Sequence, residues 1–135
     1  MAGYSGTPLA KKLGIKPGSR VVLLDAPDSL LADLAPLPDG VVPARRLTGE
    51  QAYDVIVFFA PRASALRRLP RLVLHLTPAG GLWIAWPKKA SGVPTDLTEG
   101  VVFYEGLSTG LVDNKICAID DTWSGLRFVR RLRDR

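Results

Sequence analysis

The chain has one cysteine and one histidine in 135 residues, and each scarcity removes a kind of chemistry. A lone Cys117, inside the apolar stretch Ile116-Cys117-Ala118-Ile119, excludes an internal disulfide and any cysteine-cluster metal site. Its setting reads as that of a small buried hydrophobe. A serine-histidine-aspartate triad would have to use His75. That residue lies in an apolar helical stretch with no serine motif nearby and reads as a helix residue. No cluster of histidine, aspartate and glutamate stands at ligand spacing, so no metal site is expected. A nucleophile elbow, a P-loop and a zinc signature are absent as well. No apolar run reaches the roughly 18 residues that a membrane span requires. The start Met1-Ala2-Gly3-Tyr4-Ser5-Gly6 has no charged region followed by an apolar stretch. The expected location is the cytoplasm, with no membrane partner.

What is present is a single domain's worth of core. The composition is 47% hydrophobic, and the length suits one domain over residues 1–135 rather than two. The chain is basic, with 18 lysines and arginines against 13 acidic residues and a formal charge of +5. Much of the excess sits at Arg127, Arg130, Arg131, Arg133 and Arg135, where a solvated face is the ordinary reading. No aromatic interleaving or nucleic-acid motif supports a nucleic-acid partner. A small anionic ligand is compatible with the charge.

Local patterns give the order of elements. Thr7-Pro8 starts a short helix to Leu13, because threonine caps free amides and proline fits the first turn. Gly14 ends it. Arg20 to Leu24 is a continuous aliphatic run, the mark of a strand covered on both faces. Asp28 or Ser29 caps a helix over Leu30, Leu31 and Leu34, which Pro36 and Pro38 terminate. Val41 to Leu47 reads as a second, shorter strand, weakened by Pro43 and therefore placed near an edge. Tyr53 to Phe59 is a stronger strand. Arg62 to Leu76 places Leu66, Leu69, Val73 and Leu76 at helical spacing, with a kink or split at Pro70. Gly80-Gly81 then turns the chain into the strand Leu82 to Trp86. Asp96 and Glu99 form a capping box for a helix through Leu97, Val101, Tyr104 and Leu107. Lys115 to Ile119 and Leu126 to Leu132 close the chain as an antiparallel hairpin. Alternating strands and helices imply parallel strands joined by right-handed crossovers, hence a three-layer α/β sandwich.

Four phrases within that order resemble class I S-adenosylmethionine-dependent methyltransferases. They are Leu13 to Gly18 before the first strand, Tyr53-Asp54-Val55-Ile56, the Leu76 to Ile84 phrase around Pro78 to Gly81, and the terminal hairpin. The resemblance implies a Rossmann-like, mostly parallel sheet with a C-terminal antiparallel hairpin. Longer stretches are similar to a bacterial family of uncharacterised proteins, domain-of-unknown-function family three-zero-five-two. They are Gly3 to Gly14, Trp86 to Gly92, Leu111 to Lys115 and Asp120 to Leu126. That likeness implies no activity.

The methyltransferase resemblance also implies a cofactor loop, and here the sequence departs from it. Glycines after the first strand let backbone amides approach the methyl donor. This chain has Asp25-Ala26-Pro27-Asp28-Ser29 instead, and proline removes a donor while adding bulk. An acid expected at the end of the second strand is replaced by Arg45 and Arg46. The leading reading is therefore a methyltransferase-like domain without a bound cofactor, acting as an anion-binding or interaction module. The alternative is a divergent S-adenosylmethionine-dependent methyltransferase.

The candidate binding residues are Asp25, Trp86, Lys88 and Lys89. Asp25 follows the first strand, where open α/β sheets place their ligand crevice, or it caps a turn. Lys88 and Lys89 leave a parallel strand on the same rim as Asp25 and Arg62, where they can hold phosphate or carboxylate or stay solvated. Trp86 either stacks on a ligand or fills the core. Asp113 and Asn114 read as turn formers, placed roughly 17 Å from Asp120 and Asp121 by about five strand residues. Tyr4 between glycines folds over the crevice, docks on the sheet or meets a second copy. A homodimer through the outer face of the hairpin stays open.

Overall fold

The computed structural model describes residues 7–135; the segment around Tyr4 lies outside the described residues. Helix α1 (Leu9–Lys12) leads to β1 (Val21–Leu24), α2 (Leu30–Leu34), β2 (Tyr53–Phe59), a 3₁₀ turn over Ala63–Arg68, α3 (Leu69–Leu74) and β3 (Leu76–Pro87). A 3₁₀ turn over Lys89–Ser91, α4 (Glu99–Leu107), β4 (Val112–Ala118), β5 (Trp123–Val129) and a last 3₁₀ turn over Leu132–Asp134 complete the order.

The five strands form one mixed sheet in the order β1-β2-β3-β5-β4. The first three are parallel, with Val22 beside Ile56 and Ile56 beside Leu82. Strand β5 runs antiparallel to both β3 and β4. Because side chains alternate along a strand, each central strand feeds two cores. Val22, Leu24, Ile56, Phe58, Leu82, Ile84 and Trp86 face α3 and α4 through Leu69, Leu72 and Val102, with Leu97 of the loop before α4. Val21, Leu23, Val55, Val57, Phe59, Trp83 and Ala85 face α1 and α2 through Leu13, Leu30 and Leu34. The sheet is thus the middle of three layers. Each fully buried aliphatic or Phe side chain contributes about 1.5–3 kcal/mol, and burial on both faces explains why β1, and β2 from Val55 onward, read as unbroken apolar runs.

Several expected elements differ. The strand over Val41 to Leu47 contracts to a single parallel bridge between Val22 and Ala44. Ala44 N–H donates to Val21 O and Leu23 N–H to Ala44 O, both at 2.8 Å. Pro43 has no N–H to extend that ladder. The bridge lies on the side of β1 away from β2.

The Gly80-Gly81 turn is instead continuous strand within β3. These glycines answer a crowding problem: a Cβ at Gly80 would meet Thr77 Oγ1 at 2.7 Å and Asp54 O at 2.9 Å, and one at Gly81 would overlap the Arg127 guanidinium. The Asp96–Glu99 capping box does not form. Thr98 caps α4, its Oγ1 accepting from Val101 N–H at 3.2 Å, while Asp96 Oδ1 accepts from Ala63 N–H at 2.7 Å. The helical stretch Arg62 to Leu76 divides at Leu69, leaving Pro70 in the first turn of α3, where its missing donor is harmless. Asp113 and Asn114 lie inside β4 rather than in a turn before it, and the register shifts between Asp113 and Lys115. Ser29 is the N-cap residue of α2 without a side-chain capping bond.

Candidate functional site

The parallel strands put their C-terminal ends on one rim. The segment after β1 leads outward to the Ala44 bridge, whereas β2 lies on the opposite side of β1. Divergence of this kind opens a crevice beyond the strand ends, the usual ligand position in open α/β sheets. The rim is braced: Thr95 donates to Pro61 O at 2.8 Å, and the Asp96–Ala63 bond ties the same two loops.

A cleft of about 450 Å³ opens there, at the end of β1. Buried Leu24 and Leu72 form apolar floor, and Asp25, Arg45, Arg46, Leu47, Arg68 and Arg71 complete the wall. Each basic residue arrives from a different constraint. Arg45 and Arg46 follow the Ala44 bridge directly. Arg68 closes the 3₁₀ turn after β2, and Arg71 stands three residues later in α3, which brings the pair to one face.

Asp25 and Arg68 are the part of the site with defined geometry. Arg68 Nη1 donates to Asp25 Oδ2 at 2.8 Å, and its guanidinium lies 4.9 Å from the Phe58 ring centroid. The aromatic face and the carboxylate together fix its position. Asp25 has φ +56°, the only positive φ among described non-glycine residues. Aspartate is one of the few side chains that enters that region readily. Among the described residues, Arg45, Arg46 and Arg71 have no ion-pair partner. Four guanidinium groups against one carboxylate leave three positive charges around the cleft. Guanidinium stays charged at any physiological pH.

The other residues singled out from the sequence are placed as follows. Trp86 is 6% exposed, within the core between the sheet and α3 and α4. Half-buried Lys88 and exposed Lys89 follow β3 on the same rim. Strand β2 separates them from Asp25, a lateral distance of two strand spacings or roughly 10 Å. They do not line the arginine cleft. His75 Nδ1–H donates to Gln51 O at 2.7 Å. Asp120 Oδ1 accepts from Thr122 and Trp123 N–H, closing the β4–β5 turn, and Trp123 packs edge-on against Phe59 at 5.1 Å. Lys115 Nζ donates to Lys12 O at the end of α1. Among the described residues no group of three or more histidine, cysteine, aspartate and glutamate side chains could hold a metal ion, and no helix is long and apolar enough to cross a membrane.

Sequence reasoning sets Arg45 and Arg46 where a cofactor's acid would stand and does not single out Arg68 and Arg71, so it assigns none of the four to a site. Their signal is positional: Arg45 and Arg46 follow the Ala44 bridge beside β1, and Arg68 and Arg71 flank the junction between the 3₁₀ turn and α3.

No family model matches the chain, and no curated protein matches it. Solved structures do. A candidate methyltransferase from Thermoplasma acidophilum aligns with TM-score 0.55 at 10% identity, over 87% of this chain and 70% of that one. Magnesium protoporphyrin IX methyltransferase from Synechocystis PCC 6803, solved with bound S-adenosylmethionine, aligns with TM-score 0.55 at 12% identity, over 85% and 71%. A fibrillarin pre-rRNA processing protein from Methanococcus jannaschii aligns with TM-score 0.51 at 12% identity, over 95% and 70%. At these identities the likeness is one of fold: an α/β, methyltransferase-like domain built on a mixed sheet of five strands.

Proposed function

We propose that this domain binds a small anion in the arginine cleft at the end of β1, as a binding or interaction module on a methyltransferase-like scaffold. The observation that carries the reading is the gathering of four arginines around one cleft, three of them without a carboxylate partner among the described residues. Planar guanidinium groups bind phosphate or carboxylate in a bidentate fashion. Lys88 and Lys89 extend the positive rim beyond the cleft. The quoted stretches resembling domain-of-unknown-function family three-zero-five-two fit this reading without adding an activity to it.

Calorimetry with inorganic pyrophosphate separates the two basic groups. Arg45→Glu/Arg46→Glu, on an exposed segment outside the sheet, is expected to weaken binding by about tenfold or more, since a charge-assisted hydrogen bond contributes about 1.5–3 kcal/mol. Lys88→Glu/Lys89→Glu is expected to cost less. Equal affinity of the arginine variant and the wild type would remove the cleft from consideration.

A divergent methyltransferase is the second reading, favoured by the fold likeness to an enzyme solved with bound S-adenosylmethionine. The residues present do not fit that cofactor. The cleft offers one acid, Asp25, against four arginines, and Pro27 supplies no amide. A sulfonium cation would sit among four guanidinium groups. Titration with S-adenosylmethionine and S-adenosylhomocysteine is expected to give no heat at millimolar ligand, and saturable heat with either would restore the enzyme reading.

A further inference from the structure

The Asp25–Arg68 pair has the form of an internal ligand: a carboxylate of the chain occupies one of the four guanidinium groups that an entering anion would seek. The pair is open to exchange. Its side chains are 45% exposed at Arg68 and 62% at Asp25, so water and solutes reach both. An exposed ion pair adds little stability to the fold, and a competing anion displaces it at small cost. Arg68 would not move far on exchange, because its guanidinium also rests over the Phe58 ring.

From this we infer that Asp25 sets the specificity of the cleft, admitting phosphate-class ligands with two or more negative charges and discriminating against singly charged carboxylates. The inference rests on the anion-binding reading above. A monocarboxylate that displaces Asp25 from Arg68 exchanges one carboxylate contact for an equivalent one, and leaves the freed Asp25 charge beside it. A diphosphate replaces the Arg68 contact and also reaches Arg45, Arg46 or Arg71, which have no partner to give up among the described residues. The backbone agrees with a retained role for the side chain. At φ +56° glycine would be the unstrained choice, yet the chain carries an acid there, at the mouth of a basic cleft.

Asp25→Asn tests the inference, since asparagine tolerates the same backbone region and removes only the charge. Wild type is expected to bind inorganic pyrophosphate and to give no heat with acetate. The variant is expected to bind pyrophosphate roughly fivefold tighter, the worth of an exposed ion pair, and to acquire weak acetate binding. Asp25→Gly, free of strain at this position, should act in the same direction. In an Arg68→Ala background the Asp25→Asn effect should shrink, because the displaced contact is already gone. Inorganic pyrophosphate and a nucleoside diphosphate are titrated side by side. Equal affinity places recognition in the phosphates alone and tighter binding of the ester adds its organic part; either agrees with the assignment. Pyrophosphate binding that is unchanged or weaker in both Asp25 variants overturns the role of Asp25 while leaving the anion site standing. If neither wild type nor variants bind pyrophosphate, the anion site itself falls, and the inference with it.

Discussion

At the scale of single residues, burial decides which ionisable groups are reactive. Burial pushes the Cys117 thiol up from its ordinary range, against the opposing pull of Lys115 and Lys12. A raised value means less thiolate at neutral pH, and the thiolate is the nucleophile. Cys117 should therefore react with iodoacetamide at pH 7.5 about tenfold or more slowly in the folded protein than in urea. Equal rates, followed by mass spectrometry, would show that the thiol is not shielded. The linkage runs the same way. The folded protein holds the proton more tightly than the unfolded chain, so this contribution to stability is full below the unfolded value and lost as pH rises through the folded one. Arg127 is the opposite case: burial, reinforced by the nearby Arg135 charge, pushes it down from its usual range. Its Nε is buried with no hydrogen-bond partner among the described residues.

At the scale of elements, packing overrides propensity, and α4 shows how. Its Gly106 is a poor helix residue by roughly 1 kcal/mol relative to alanine, yet a Cβ there would overlap the Phe128 ring of β5. Gly106→Ala is expected to destabilise the fold by about 1–3 kcal/mol in urea denaturation, as overpacking usually does. Gly100→Ala in the same helix meets only Thr98 Oγ1, at 3.8 Å, and should be neutral or stabilising by up to about 1 kcal/mol. If both variants gain stability, the close approach of α4 to β5 is not a real constraint. The same contest explains what was legible in the sequence. Tyr53 to Phe59 is readable because a strand buried on both faces needs continuous apolar residues, which Val55 to Phe59 supply. Gly80-Gly81 was misread as a turn because glycine signals freedom locally, whereas its reason here is Asp54 and Arg127, distant in sequence. Asp96 looked like half of a capping box and instead holds Ala63 across the rim. The parallel pairing of the first three strands followed from alternation. The cleft did not, since four separately ordinary arginines become a site only when the Ala44 bridge and the break before α3 bring them together.

At the scale of the molecule, the irregular segment between α2 and β2 is attached most lightly where it matters most. Its backbone hydrogen bonds to the sheet are the two of Ala44, with the Thr48–Tyr53 hydroxyl contact and buried Val41 as further ties, while β2 is hydrogen-bonded on both sides. It forms a wall of the arginine cleft through Arg45, Arg46 and Leu47. On the opposite rim, near Gly18 and Tyr53, it borders a second cleft of about 310 Å³ through Gly40, Thr48 and Gln51. Local opening requires less free energy where few contacts are broken, so Ala44 N–H should exchange with deuterium on the order of a hundredfold faster than Val57 N–H at the centre of the sheet. A ligand that binds only the closed form stabilises that form in proportion to its occupancy, by about 2.7 kcal/mol at a hundred times its Kd. Saturating pyrophosphate should therefore slow exchange across residues 44–47 and leave β4, at the far edge of the sheet, unaffected. Uniform slowing over both regions would point to global stabilisation by the anion instead. Unchanged exchange at 44–47 under saturation would mean that the bound anion does not engage Arg45 and Arg46.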